Sequence, residues 1–341
     1  MDPSSDPWQV DPASYPRGES AQARLRFLLR YAALAPSSHN TQPWLFRIRD
    51  DAVFVYADRT RALPVADPDD RELTISCGAA LELLRLAIRR FGHLDVTTLF
   101  PDPKDEDLLA KVRLGDAREP TAEETRMFEA MGRRRTNRQP FENRPIPDAL
   151  VLALTNAAAL EGVWLEAVRG ESKRGAVAEL VAVGDRMQAA DPSFRRELAA
   201  WVHPNRSRSR DGLPGYAFGM GDLVSYAGPL VLRTFDWGRG KAARDHEIAI
   251  GSPLLAVLGT ELDAPVAWLQ TGMALARVLL LAAAEGVSAS YLNQPIEVRE
   301  LRPKLREILG RPGEPQLLLR MGYGATGNHT PRRPVDDVLL P

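Results

Sequence analysis

The sequence predicts an α+β fold assembled from two copies of one module. Three observations point there. Helix-like and strand-like stretches alternate over residues 20–100, and the pattern starts again after Gly115. A shift of 194 residues lays Gly78-Ala79-Ala80-Leu81 on Gly272-Met273-Ala274-Leu275, Leu86 on Leu280 and Gly92 on Gly286, so a helix, a glycine and a strand recur in register. The 341 residues, 44% apolar and 26% charged, suffice for one large or two ordinary packed domains. Alanine and leucine are abundant, so a chance match gives the same register, and the residues alone leave both readings open.

Residues 1–18 hold four prolines and little periodicity, and read as an extended arm or a disordered tail. From Ser20 a helix begins, with Leu25, Leu28, Leu29, Ala32 and Ala33 on one face. Strands are predicted at 44–48 and 53–56 around the polar turn Arg49-Asp50-Asp51, a helix at 78–91 and a strand at 96–100. A helix over 122–133 follows, and Pro147 opens another to about residue 160, since proline is tolerated in a first turn. Residues 163–168 read as a strand and 171–190 as a long amphipathic helix. Residues 195–221, with many arginines and Asp211-Gly212-Leu213-Pro214-Gly215, read as a functional loop. Strands near 230–234 and 254–259, an apolar helix over 268–285, a strand at 288–292, a helix over 297–309 and a strand at 316–321 complete the chain before an irregular tail. The expected organisation is an arm at 1–18, a first module at 19–118, a second at 119–322 with a lid-like insertion at 195–221, and a tail at 323–341.

A net charge of −1 and a pI of about 6.6 argue against nucleic acid or an anionic membrane as the partner. No apolar run reaches the roughly 20 residues of a membrane span; the longest candidate, 274–284, is interrupted by Arg277. No signal-peptide pattern opens the chain, and Cys77 is the only cysteine, so the expected home is the cytoplasm.

Two segments carry chemistry. Ala35-Pro36-Ser37-Ser38-His39-Asn40-Thr41-Gln42-Pro43-Trp44 lies between a helix and a strand, and can aim hydroxyls, a carboxamide and bare backbone amides at a polar ligand. Gly132-Arg133-Arg134-Arg135-Thr136-Asn137-Arg138-Gln139 sets four arginines and a hydroxyl before a helix. That composition suits a phosphate clamp, because guanidinium binds phosphate bidentately and stays charged. A solvated basic helix end, which a cluster of basic residues usually is, is the other reading.

The wording A-P-S-x-x-N-x-Q-P-W resembles the flavin-contacting turn of the FMN-dependent nitroreductase family, and R-R-T-x-R resembles that family's R-R-S-x-R phosphate and ribityl segment. The resemblance covers about residues 20–335 and is to the Acg-like branch. It implies a nitroreductase-like fold, in which each module is a mostly antiparallel sheet packed with helices. In the family both motifs sit in one module, and two chains exchange them across a dimer. Here the turn stands in the first copy and the arginines in the second. The resemblance therefore implies a fused pseudo-dimer with one intact flavin site and one lost, as a monomer or a homodimer.

It further implies FMN contacts from Pro36, Ser37, Ser38, Asn40, Gln42, Arg134, Arg135, Thr136 and Arg138. The run Ser290-Tyr291-Leu292-Asn293 would pass beside the ring, with Ser290, Leu292 and Asn293 as contacts. Arg332 and Arg333 match the family's basic ending, although a mobile tail charge is the alternative. The activity implied is hydride transfer from NADPH or NADH through FMN N5 to a small organic acceptor such as a nitroaromatic or a quinone, with the chemistry on the flavin and no certain catalytic side chain. A protein that sequesters FMN under a lid is the alternative, and a degenerate scaffold the third reading. His39 occupies a variable motif position facing substrate or solvent. His203, His246 and His329 lack metal-like spacing, so no metal is expected. Cys77 is expected in a core, and Gly219-Met220-Gly221 is too weak for a dinucleotide fingerprint.

Overall fold

The computed structural model describes residues 6–325 and 327–341. The first half runs α1 (Ala21–Ala32), β1 (Trp44–Arg49), β2 (Ala52–Ala57), α2 (Arg71–Arg90), β3 (His93–Leu99) and β4 (Leu108–Ala117). After α3 (Ala122–Ala130) the second half runs α4 (Asp148–Ala159), β5 (Trp164–Ala167), α5 (Glu171–Ala190), α6 (Pro192–Ala200), β6 (Val202–His203), β7 (Leu213–Pro214), α7 (Asp222–Thr234) and α8 (Gly238–Ile250). It ends with β8 (Leu254–Thr260), α9 (Pro265–Ala284), β9 (Ser288–Tyr291), α10 (Gln294–Glu297), α11 (Arg302–Leu309), β10 (Glu314–Gly322) and α12 (Val335–Val338).

The two halves share one topology. The first sheet has the order β1-β2-β4-β3 and the second β5-β8-β10-β9, and every pairing in both is antiparallel. In each, one helix precedes the first strand and one joins the second strand to the third. The residues matched by the 194-residue shift, Gly78 and Gly272, lie on those joining helices, α2 and α9. α2 and α9 pack along each other, and one apolar core runs through both sheets around them. A Cβ on Gly78 would stand 2.1 Å from the carbonyl oxygen of Leu269, and one on Gly272 1.9 Å from that of Ile75. Only glycine permits this approach. The second matched pair, Gly92 and Gly286, has left-handed φ of 91° and 75° where the chain leaves each helix for a strand.

Local chemistry explains the boundaries. Ser20 caps α1 by accepting from the Ala23 amide, and Thr121 with Glu124 forms a capping box on α3. α2 begins at Arg71 rather than near Gly78, because the polar residues of its first turns are buried instead of solvated. The expected helix over 297–309 is shorter: α10 has already ended at Glu297, and α11 covers only Arg302–Leu309. Pro303 offers no amide to continue a single helix, and α11 restarts with it in the first turn. The expected strand at 230–234 is the end of α7. There Ser225 and Gly228 are the buried residues while Leu223 is 87% exposed, so the apolar pattern does not mark the packed face. β4 and α8 were not anticipated at all.

α9 is 20 residues long and apolar enough to cross a membrane, longer than the sequence suggested, but 78% of its apolar window is buried inside the protein. Its Arg277 pairs with buried Glu82 at 3.0 Å. It is the central core helix. The described part of the arm is packed as well: Tyr15 is buried against Phe27 and Phe91. The tail returns to the first sheet, where the Leu340 amide donates to the Phe46 carbonyl at 2.7 Å.

Replacing Gly272 with alanine forces the helices apart, and should lower unfolding stability by about 1–3 kcal/mol or more in urea melts. Gly286→Ala meets no atom within 4 Å and carries only its backbone cost, roughly 1 kcal/mol. Equal losses for the two variants would refute the close-packed crossing.

Candidate functional site

The turn after α1 is held in an uncommon backbone shape. His39, Asn40 and Gln42 have φ of 47°, 55° and 52°, a region that costs most side chains of order 1 kcal/mol and that asparagine and histidine tolerate better than most. Side chains fix it. The Ser37 hydroxyl accepts from the Gln42 amide at 2.9 Å. Asn40 Nδ2 donates to the carbonyls of Gly212 and Pro331, each at 3.0 Å, while its Oδ1 accepts from Arg332 at 2.7 Å. Gln42 Nε2 donates to the Arg210 carbonyl at 2.8 Å, and its Oε1 accepts from the Arg333 amide at 2.8 Å. Two predicted ligand contacts thus join the turn to the 210–213 segment and to the tail.

The arginine segment lies along the edge of the second sheet. Thr136 bridges to Ala289, and the Asn137 amide donates to the Ala289 carbonyl at 3.0 Å. Behind it stands Arg320 of β10, fully buried, with its guanidinium 4.4 Å from the centre of the Phe141 ring. Arg320 donates to the carbonyls of Asn137 (2.8 Å) and Gln139 (3.0 Å), which fixes the backbone of the segment.

Turn, arginine segment and the start of α2 enclose a cavity of about 270 Å³. Pro36, Ser37, Ser38 and Asn40 form one wall, Arg134 to Gln139 another, and Tyr291 with Asn293 the floor. Leu198, Leu213, Tyr216 and Phe218 close it from the insertion, Trp8 and Arg332 from the two ends of the chain. Of the predicted contacts, Gln42, Ser290, Leu292 and Arg333 do not line it. Leu292 packs in the outer core behind the second sheet, and its amide donates to the Leu318 carbonyl. Ser290 pairs with Arg320 in the sheet, and Arg333 holds the Gln42 and Asp337 carbonyls. Arg332 is no mobile charge but is 4% exposed.

One end of this cavity is strongly positive. Arg134, Arg138 and Arg332 converge on it, and burial holds all three below the usual arginine range. Among the described residues none of them is paired with a carboxylate. Uncompensated buried cations are costly, so this end fits an anionic group such as a phosphate, which guanidinium binds bidentately. Burial also pushes the Tyr291 phenol up to about 12 and the His39 imidazole down to about 4.

Two features escaped the sequence reading. Glu72 on α2 accepts from the Ser38 hydroxyl, from Asn293 Nδ2 at 3.0 Å and from Arg71 at 3.1 Å, so one carboxylate ties the turn to the floor. Trp8 stacks on His329 at 3.9 Å and donates to the Thr330 carbonyl, so the arm and the tail clasp over the arginine end. A lone tryptophan in a proline-rich arm was the only signal for it.

The other copy lacks this geometry. Residues 33–43 separate α1 from β1, whereas only 160–163 separate α4 from β5. That shorter turn brings Glu161 to Arg85 at 3.1 Å, beside the ion pairs of Glu82 with Arg85, Arg89 and Arg277. Asp95 completes the cluster through Arg85 and Arg89. Among the described residues no cluster of metal-binding side chains occurs. Cys77 is buried, its thiol pushed well up by burial and donating to the Pro43 carbonyl.

His39 is neutral in the folded state down to about pH 4, but protonates near 6.5 when unfolded. The unfolded chain then binds the extra proton, so this group makes stability fall as pH drops from about 6.5 towards 4. Denaturant midpoints should decline over that range in the wild type and less steeply in His39→Asn. Identical slopes would show that His39 titrates normally.

A model of the Nitroreductase family matches residues 131–323. The protein Rv3131 of Mycobacterium tuberculosis H37Rv, which carries an NAD(P)H nitroreductase name, is 32% identical over 320 residues, spanning 92% of this chain and 90% of its own. The protein acg of the same organism is 27% identical over 324 residues, spanning 92% and 95%. Among solved structures, the FMN-dependent nitroreductase NfnB from Mycobacterium smegmatis in complex with NADPH is 17% identical, with a TM-score of 0.37 over 62% of this chain and 96% of that one. With most of its length matched to the family model and to these relatives, the chain belongs to the nitroreductase family.

Proposed function

We propose that the chain is an FMN-dependent NAD(P)H oxidoreductase that holds one flavin in this cavity and passes reducing equivalents to a small organic acceptor, a nitroaromatic or a quinone. The observation that carries the reading is the convergence of Arg134, Arg138 and Arg332, without a carboxylate partner among the described residues, at one end of a cavity walled by both halves of the chain. These arginines, with Arg135 and Thr136, would hold the phosphate and ribityl chain. Ser37, Ser38, Asn40 and Asn293 would line the path to the ring. The nitroreductase names of the relatives support the same reading.

The flavin, when bound, supplies the redox chemistry; the chain binds it, orients it and controls access. In this reading the two halves act as a fused pseudo-dimer with a single working site. The short turn and the ion cluster around Glu82 occupy the related position in the other half. Such a chain completes its own site as a monomer and can still form a homodimer. Its single buried cysteine is in keeping with a reducing cytoplasm.

A second reading, sequestration of FMN with little turnover, is favoured by the cover over the cavity. Asp211 pairs with Arg61, the Gly212 amide donates to the Asn40 carbonyl at 3.2 Å, and the Tyr216 hydroxyl donates to the His329 carbonyl at 2.6 Å. The insertion is therefore tied to the turn, the loop after β2 and the tail together.

Anaerobic NADPH or NADH should bleach the FMN-loaded protein within a turnover time. A flavin reduced by dithionite but by neither nucleotide selects sequestration, and a chain that takes up no FMN ends both readings. Arg138→Ala should weaken FMN by roughly 10- to 100-fold and leave riboflavin, which has no phosphate, nearly unchanged in fluorescence titrations. Equal losses for both ligands would place the phosphate elsewhere.

A further inference from the structure

The cavity has a second pole, beyond Asn293 and under the insertion. α10 begins directly after Asn293 and ends at Glu297. Glu297, Gln188, Gln294 and Lys241 line this pole, covered by Phe194, Phe218 and Trp237. Most of its charges are already matched. Lys241 is taken by Asp185 and by Asp245 at 2.6 Å. Glu72 has Arg71 at 3.1 Å. Glu297 has no cation in contact among the described residues and accepts only from Gln188 Nε2. Beside it Gln294, 8% exposed, spends its Nε2 on Asp185 and Asp245, and its buried Oε1 has no partner among the described residues.

Each feature narrows the ligand. Three aromatic side chains lining this pole suit a flat ring. Carboxylates at Glu72, Asp185 and Asp245 disfavour an anionic one. A carboxyl at the cavity surface with no cation in contact among the described residues calls for a group with which it can share a proton.

We propose that this pole is the subsite of the electron acceptor, and that the Glu297 carboxyl donates a hydrogen bond, and then its proton, to an oxygen of a planar quinone-type acceptor. The proposal rests on the oxidoreductase reading above. Atoms balance: the quinone gains a hydride from the reduced cofactor at one oxygen and a proton from Glu297 at the other, and leaves as the hydroquinone. The cofactor is oxidised by two electrons, and water reprotonates Glu297.

The environment keeps that proton available. Burial first, and then the charge of Glu72, push the Glu297 carboxyl up to about 8; the Gln188 hydrogen bond, Arg71 and Lys241 pull the other way. Asp185 on α5 and Asp245 on α8 are engaged with Lys241. On the remaining neighbours, Arg302 of α11 is bound to Asp263 and Gln316, and Arg320 of β10 to the carbonyls of Asn137 and Gln139. At pH 7 Glu297 is a neutral acid, and it loses its proton as pH rises through about 8.

Two measurements test this. Infrared titration of the full chain as purified, wild type minus Glu297→Gln, should contain a protonated-carboxyl band that disappears near pH 8, whether or not flavin is present. Anaerobically, protein reduced with dithionite is then mixed with 1,4-benzoquinone. The wild-type reoxidation rate should fall about tenfold per pH unit above pH 8. Glu297→Gln should be slower by about 100-fold at pH 7 and independent of pH. Gln188→Leu, which removes a bond to the ionised form, should move the falling limb to higher pH. Reoxidation that is equally fast and has the same profile in Glu297→Gln, or a missing infrared band, overturns the proposal even if NADPH reduces the flavin. Failure of NADPH to reduce the protein, with the quinone results as expected, would count against the nucleotide-driven reading alone.

Discussion

The contact between α2 and α9 at Gly78 and Gly272 is the constraint on which the rest depends. At that point each backbone fills the volume a side chain would need on the other, with carbonyl oxygens about 2 Å from where the Cβ atoms would be. The crossing sets how far the two sheets stand apart. It also brings the first turns of α2, with Glu72, Ile75 and Ser76, and Leu275 of α9 to the wall of one cavity. On the far side of the crossing the same two helices meet through Glu82, Arg85 and Arg277, a buried ion cluster in which Glu82 alone has three cations. One end of the helix pair is open to a ligand and the other is closed by charge pairing.

The cavity itself is organised by polarity. Its arginine end holds cations that burial disfavours, and a bound anion relieves that cost. Its opposite end holds carboxylates matched by Lys241 and Arg71, with the Glu297 carboxyl pushed up by burial and by the charge of Glu72. Between them Glu72 ties Ser38, Asn293 and Arg71 into one network that joins turn, floor and helix. Arg320 and Asn40 work in the same manner. Neither is free to bind a ligand with all its donors, because each satisfies backbone carbonyls that no strand or helix reaches. Asn40, with its carboxamide donating twice and accepting once, is the fully partnered one, and such a group fixes a single local geometry.

Much of this was legible in the chain. The glycine register across 194 residues reflects a real equivalence, since both sheets have the same strand order and both glycine pairs occupy matching places. Ser37, Ser38, Asn40, Arg134, Arg138 and Arg332 were identified from their motifs and do meet in space. What failed has definite causes. α7 exposes its apolar residues and buries Ser225 and Gly228, so its pattern signals a strand. Gln42 and Arg333 were expected at a ligand, but a carboxamide or guanidinium inside a tight turn finds backbone partners first. Trp8 and Glu297 follow no local pattern, because each owes its place to elements hundreds of residues away in the chain or on other helices.

The sequence by itself determined the family, and it carried the glycine register and the two distant motifs that suggested a doubled module with one divided site. Those properties live in short runs whose residue types have few alternatives: glycines where backbones touch, arginines before a helix, small polar residues in a turn. Tertiary structure alone decided which donors remain free, which pole of the cavity is positive, and which carboxyl stands without a cation beside it. These depend on burial and on charges brought together from α2, α5, α8 and α10, and a pKa or an unpaired charge has no value until those distances exist.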